Sequence, residues 1–173
     1  MVTLLLLIAN LLTYGLELAG GDTEAYCLAH GFDPSQPSLT AALYSLFLHA
    51  SITHLAGNLL YLAIVGPIVE RQLGATRFAL LYLLAGCCGL ALHALVSTTT
   101  LVGASPAVFG LLAAACAVRP RFAPCVLVLG AVNVWQVATD TGGTVGVASH
   151  VGGLAAGVVF MLALNPTRRL SCA

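Results

Sequence analysis

The stretch ITHLAGNLLYLAIVGPIVE, residues 52–70, runs for 18 residues before its first charge, at Glu70. As a helix it would extend roughly 28 Å, close to the roughly 30 Å hydrocarbon layer of a bilayer. The rest of the chain repeats this character. Of 173 residues, 60% are hydrophobic and 7% charged, with a mean hydropathy of +1.01. A soluble domain carries about a quarter charged residues, so an ordinary soluble fold is excluded. A disordered chain is excluded too, because it needs low hydrophobicity and high net charge. Six Lys and Arg are balanced by six Asp and Glu. No basic patch exists to neutralise phosphates, so nucleic acid is not an expected partner.

Apolar runs between polar breaks place six membrane spans at 2–19, 52–70, 77–97, 105–118, 122–139 and 147–164. The first is read as a span rather than a signal-peptide core: no Arg or Lys precedes it and no small-x-small cleavage site follows. The expected class is an all-α polytopic membrane protein forming one domain over residues 1–173. Arg71, Arg77, Arg119, Arg121, Arg168 and Arg169 all fall in loops or tails on one side of a six-span chain. By the positive-inside rule that side is cytoplasmic, so a multi-pass protein of the cell membrane with both termini inside is expected. Residues 20–51 form the one sizeable loop, outside, with a short interfacial helix expected over Leu39–His49. Cys87, Cys88, Cys116 and Cys125 read as small packing residues of spans, and Cys27 has no disulfide partner in the outer loop. No Cys-x-x-Cys spacing suggests a metal.

Polar groups inside spans are costly and mark function. The outer ends of three spans carry His54 and Asn58, Ser105, and His150. His54 and Asn58 are four apart and share one helix face. The run from Ser105 to Arg119 covers only about 21 Å as a helix, short of the roughly 30 Å layer. Ser105 is therefore expected below the outer surface, at the floor of a hydrated pocket, with 97–103 dipping in beside it. A serine needs a base to become a nucleophile, and neutral histidine is the usual one, so His150 is the candidate base. Backbone N–H groups at the start of the Ser105 helix suit a developing oxyanion, and Asn58 and His54 are candidate further donors. Only Asp140 lies near enough in sequence to act as a third member, so a Ser–His dyad is the expected arrangement.

Four short motifs in order resemble the rhomboid intramembrane serine proteases. His54-x-x-x-Asn58, with His49 upstream, resembles the family's His-x-x-x-Asn. Gly66, Glu70 and Gly74 resemble Gly-x-x-x-Glu-x-x-x-Gly. Gly103-Ala104-Ser105-Pro106 resembles the nucleophile motif Gly-x-Ser-Gly. Ser149-His150-x-x-Gly153-x-x-x-Gly157 is similar to Ala-His-x-x-Gly-x-x-x-Gly, which holds the base. The resemblance implies a six-helix core that cleaves single-pass transmembrane proteins near the outer face of the lipid bilayer, with no metal or nucleotide cofactor. It also implies an oxyanion site built from the Ser105 N–H, His54 and Asn58 beside Gly103. Pro106 and Ser149 depart from the pattern. Proline suits the first helical turn, which makes Ser105 the expected N-cap, and Gly153 is expected to make room for the ring. Phe109, one turn below Ser105, is read as core or as a partner for the His150 ring. A catalytically inactive member that binds membrane helices is the alternative. A small transporter ranks last, since no intramembrane carboxylate pair appears.

Overall fold

The computed structural model describes residues 1–125, 127, 128, 131 and 143–164. Where the chain is strongly apolar it is helical: α1 (Val2–Ala19), α4 (Ile52–Leu73), α5 (Ala75–Ala94), α6 (Ser105–Val118) and α7 (Gly143–Leu164). Two short helices, α2 (Thr23–His30) and α3 (Leu39–Ser45), lie in the long loop, and a 3-10 turn (Pro120–Phe122) follows α6. Among the described residues four helices, α1, α4, α5 and α7, are long and apolar enough to cross a membrane, while α6 has 14 residues. This is an all-helical, multi-pass membrane protein. The bounds of α1 and α6 match the expected spans. The α4 helix runs on to Leu73 rather than ending at 70, α5 covers Ala75–Ala94 rather than 77–97, and α7 starts four residues before 147. Most of the expected 122–139 span, with Asp140, lies outside the described residues, as do Arg168 and Arg169.

Local chemistry starts the helices in the loop. Asp22 accepts hydrogen bonds from the backbone N–H groups of Glu24 and Ala25, both at 3.0 Å, and this caps α2. The same loop was expected to hold one helix over Leu39–His49, but α3 ends four residues earlier, at Ser45, because the chain then turns inward. Leu46, Leu48 and His49 are fully buried. Ser51 caps α4 by accepting from the His54 N–H at 3.2 Å. Gly74, at φ +79°, makes the sharp turn from α4 into α5 that a side chain would resist.

The centre of the bundle is α6, buried on almost every side from Pro106 to Ala115, as expected of a helix that is apolar all round. Around it pack Leu62, Val65 and Val69 of α4, Phe78, Leu81 and Tyr82 of α5, and Met161 of α7. Small residues let the backbones meet. A Cβ on Gly110 would strike Ala85 Cβ, and one on Gly157 would strike the Gly110 carbonyl. The outer helices turn Leu4, Leu5, Ile8, Leu60 and Leu84 outward. That surface fits lipid and not water.

The ends of the helices sort into two levels. At one end a cavity of about 340 Å³ is lined by Gln72, Leu73, Arg77, Val118 and Leu164, so the arginine-bearing ends of α4, α5 and α6 meet the Leu164 end of α7 there. At the same end Glu70 of α4 caps α1. Its carboxylate accepts from the Val2 N–H (2.6 Å), the Thr3 N–H (2.9 Å) and the Thr3 hydroxyl (2.7 Å). A carboxylate at a helix N-terminus satisfies orphan donors and meets the positive end of the dipole. Gly66, one turn away, leaves room for Thr3, since a Cβ there would lie 2.6 Å from its methyl group. Glu70→Ala is expected to lower stability by about 1.5–3 kcal/mol, the worth of hydrogen bonds to a charged acceptor. Thermal unfolding in micelles would read the loss, and an unchanged melting curve would contradict this role.

Candidate active site

The other end of the bundle gathers the polar residues. A Phe32–Leu101 backbone bridge (N···O 3.0 and 2.9 Å) ties the long loop to the segment before α6. The Gly103 N–H then donates to the Ser45 carbonyl at 2.8 Å. Gly103 has φ +123°, which side chains resist, and it needs the space as well. A Cβ there would lie 2.7 Å from His54 Cε1, 2.9 Å from His54 Nε2 and 3.7 Å from Ser105 Oγ. The His54 imidazole and the Ser105 hydroxyl therefore flank one glycine.

Ser105 is the first residue of α6, not its cap. The cap position belongs to Ala104 (φ −69°, ψ −7°), whose carbonyl accepts the Val108 N–H at 3.0 Å. The left-handed turn at Gly103 lets the chain enter the helix one residue early. No side chain caps α6, so the Ser105 hydroxyl is not consumed by the helix backbone. Pro106 sits in the first turn, where a missing N–H forfeits no intrahelical bond.

His150 comes to the same place through packing. Its ring stacks on Phe109 with centroids 4.3 Å apart and planes 6° from parallel. Phe109 stands one turn from Ser105, on the same face of α6. Three residues along α7 from His150, a Cβ on Gly153 would strike the Pro106 carbonyl. The close crossing of α6 and α7 thus sets His150 against Phe109, one turn from the start of α6. Ser105, His54 and His150 are all half-buried. Ser149, which departs from the motif, is fully buried, and its hydroxyl donates to the Gly146 carbonyl at 2.8 Å. Its polarity is satisfied within its own helix.

The Pro106 ring is accommodated differently from expectation. Gly153 faces the Pro106 backbone, whereas the ring lies against Gly89 of α5, where an added Cβ would meet Pro106 Cβ and come within 3.2 Å of Cγ. The ring fills a gap that this sequence leaves open on a third helix. Pro106→Gly is therefore expected to change activity by less than about tenfold, or about 1.4 kcal/mol of barrier. Activity appearing only in Pro106→Gly would mark the proline as inactivating.

Asn58 is placed one turn below His54 and buried. Its amide nitrogen lies 3.0 Å from His49 Nε2 and 3.2 Å from the His54 carbonyl. Both amide hydrogens are thus engaged within the protein, and neither is free for Ser105. Sequence reasoning assigned no role to His49, which is fully buried. Burial, with the His54 ring edge-on 5.1 Å away, pushes its imidazole down to about 4, so it is neutral near pH 7. Its backbone N–H donates to both oxygens of Glu17, at 3.1 and 3.2 Å. The Cys27 thiol, raised to about 11 by burial and the neighbouring Glu17 charge, stays protonated and donates to the same carboxylate at 3.8 Å. The spacing from His49 to His54 was the signal available for His49. Glu17 and Cys27 carried none.

Among the described residues no cluster of His, Cys, Asp and Glu is suited to a metal. An apolar helical bundle of this kind defines a multi-pass membrane protein, here with a cluster of Ser, His and Asn at one end. The Rhomboid domain family model matches residues 36–166, and the chain belongs to the rhomboid family. Similar proteins include the rhomboid protease GluP of Bacillus subtilis (strain 168), 40% identical over 110 residues, covering 60% of this chain and 22% of GluP. RHOMBOID-like protein 7 of Arabidopsis thaliana is 41% identical over 73 residues, covering 42% of this chain and 23% of the relative. RHOMBOID-like protein 4 of the same plant is 46% identical over 67 residues, covering 38% and 17%. The chain spans about a fifth of the length of these relatives.

Proposed function

We propose that the chain is an intramembrane serine endopeptidase that cuts single-pass transmembrane proteins near the outer face of the cell membrane. The observation that carries this is the stacking of His150 on Phe109, one turn from Ser105, locked by the Gly153–Pro106 contact. In this reading neutral His150 takes the proton of Ser105 as the hydroxyl attacks the scissile carbonyl, then returns it to the leaving amine. The Ser105 N–H, at the start of α6, and the His54 ring donate to the oxyanion, and Asn58 joins by sharing an amide hydrogen now held by His49. Gly103 keeps the space between His54 and Ser105 clear. Water completes the second step, so no cofactor is needed. This reading takes the core to have six spans, with the fifth expected from sequence at 122–139. The inactive alternative rested on Pro106, and the fit of its ring against Gly89 favours the active reading.

Cleavage of a transmembrane reporter in proteoliposomes tests this proposal. Mass spectrometry of the fragments is expected to place the cut close to the outer membrane boundary. Cuts confined to distant soluble segments would contradict it. Both termini and the Arg119–Arg121 turn are expected inside, because Arg71, Arg77, Arg119 and Arg121 sit toward one end of the bundle. Labelling of a cysteine introduced near Arg121 by an impermeant reagent from outside intact cells would overturn that orientation.

A further inference from the structure

The fully buried His49 ring makes two contacts that fix its chemistry. Nδ1 lies 3.1 Å from the Phe47 carbonyl, which only accepts, so Nδ1 carries the proton. Nε2 is then an acceptor, and it lies 3.0 Å from the Asn58 amide nitrogen. The opposite amide orientation would set the Asn58 oxygen against the His54 carbonyl, 3.2 Å away, and the two acceptors would repel. The tautomer of one side chain and the orientation of the other therefore determine each other. The anchor of this pair is the Glu17 carboxylate of α1 on the His49 backbone N–H.

We propose that His49 is a positioning residue for catalysis: held by Glu17 and Phe47, it fixes the amide plane of Asn58 and holds one of its hydrogens until the developing oxyanion shares it. This rests on the serine-protease reading above. With His49 present, an oxyanion draws on a hydrogen already oriented; without it, the amide is held on one side only and must be ordered during the reaction. Ordering it beforehand raises kcat rather than substrate affinity. The groups facing the ring are His54 and Asn58 of α4, with Glu17 of α1 and Cys27 of α2 behind its backbone.

The expected results are specific. His49→Phe, which keeps the volume and removes the acceptor, lowers kcat about tenfold with KM unchanged. His49→Gln, whose side-chain oxygen can replace Nε2, restores most of the rate. Asn58→Ala alone costs on the order of 10²-fold, and adding His49→Phe to it changes kcat by less than about twofold, whereas a general loss of folding would persist on that background. Histidine ¹⁵N spectra of the active protein are expected to show His49 protonated at Nδ1 and bare at Nε2 at pH 7. Wild-type kcat in His49→Phe, an equal loss on the Asn58→Ala background, or an Nε2–H tautomer would each overturn the proposal. A wild type that neither cleaves nor reacts with a fluorophosphonate would instead overturn the protease reading, and the catalytic role of His49 with it.

Discussion

Ser105→Ala and His150→Ala are each expected to abolish cleavage of a transmembrane substrate, with a loss on the order of 10⁴-fold or more, and the double variant to be no worse than either. On the proposed mechanism the two groups act as one unit, since an unactivated serine and a base without a nucleophile are equally idle. The structure supports the pairing through two independent contacts, the Phe109–His150 stack and the Gly153–Pro106 approach, which hold the relevant ends of α6 and α7 together. Phe109→Ala, which removes only the stack, should leave measurable activity. Turnover near wild type in His150→Ala would remove it as the base.

The second large effect is expected from a single methyl group. A Cβ at Gly153 would collide with the Pro106 carbonyl and lie 2.7 Å from its carbonyl carbon and 3.0 Å from its Cα. These are backbone atoms at the start of a buried helix, so they have no rotamer by which to move aside. Gly153→Ala must separate α6 from α7, at about 1–3 kcal/mol in stability. It also moves His150 from Ser105, and a displacement near 1 Å costs about 100-fold in rate. Gly15→Ala on α1, where an added Cβ meets nothing within 4 Å, is the control and should be neutral or slightly stabilising. Unchanged cleavage by Gly153→Ala would contradict the packing account of the site.

Much of the fold was legible because a membrane chain writes its helices as apolar runs. The bounds of α1 and α6 follow from where polar residues stop and start, and the exclusion of a soluble fold needed composition alone. Candidate residues Ser105, His54 and His150 were legible for the same reason, since a polar group in such a run is conspicuous. What was not legible depended on contacts between distant segments. The α2 helix, at eight residues, is too short for a hydrophobic pattern to announce it, although Asp22 was a usable capping signal. The cap of α6 shifted to Ala104 because Gly103 adopts a left-handed turn, and that turn is held by Ser45 in another part of the chain. Glu70 reaches back 67 residues to Thr3. The seat of the Pro106 ring lies on α5, on which no motif had been placed. His49 stands just outside a span, where a polar residue is unremarkable, and only the folded loop shows that it is buried against Asn58.

The central claim is that Ser105 is an activated nucleophile, and covalent labelling tests it most directly. The intact chain in micelles or liposomes should be incubated with a serine-directed fluorophosphonate and the labelled peptide sequenced. The account predicts a single adduct on Ser105, absent in Ser105→Ala and strongly reduced in His150→Ala. A folded, membrane-inserted chain with no label at Ser105, or with equal labelling when His150 is replaced, would contradict it.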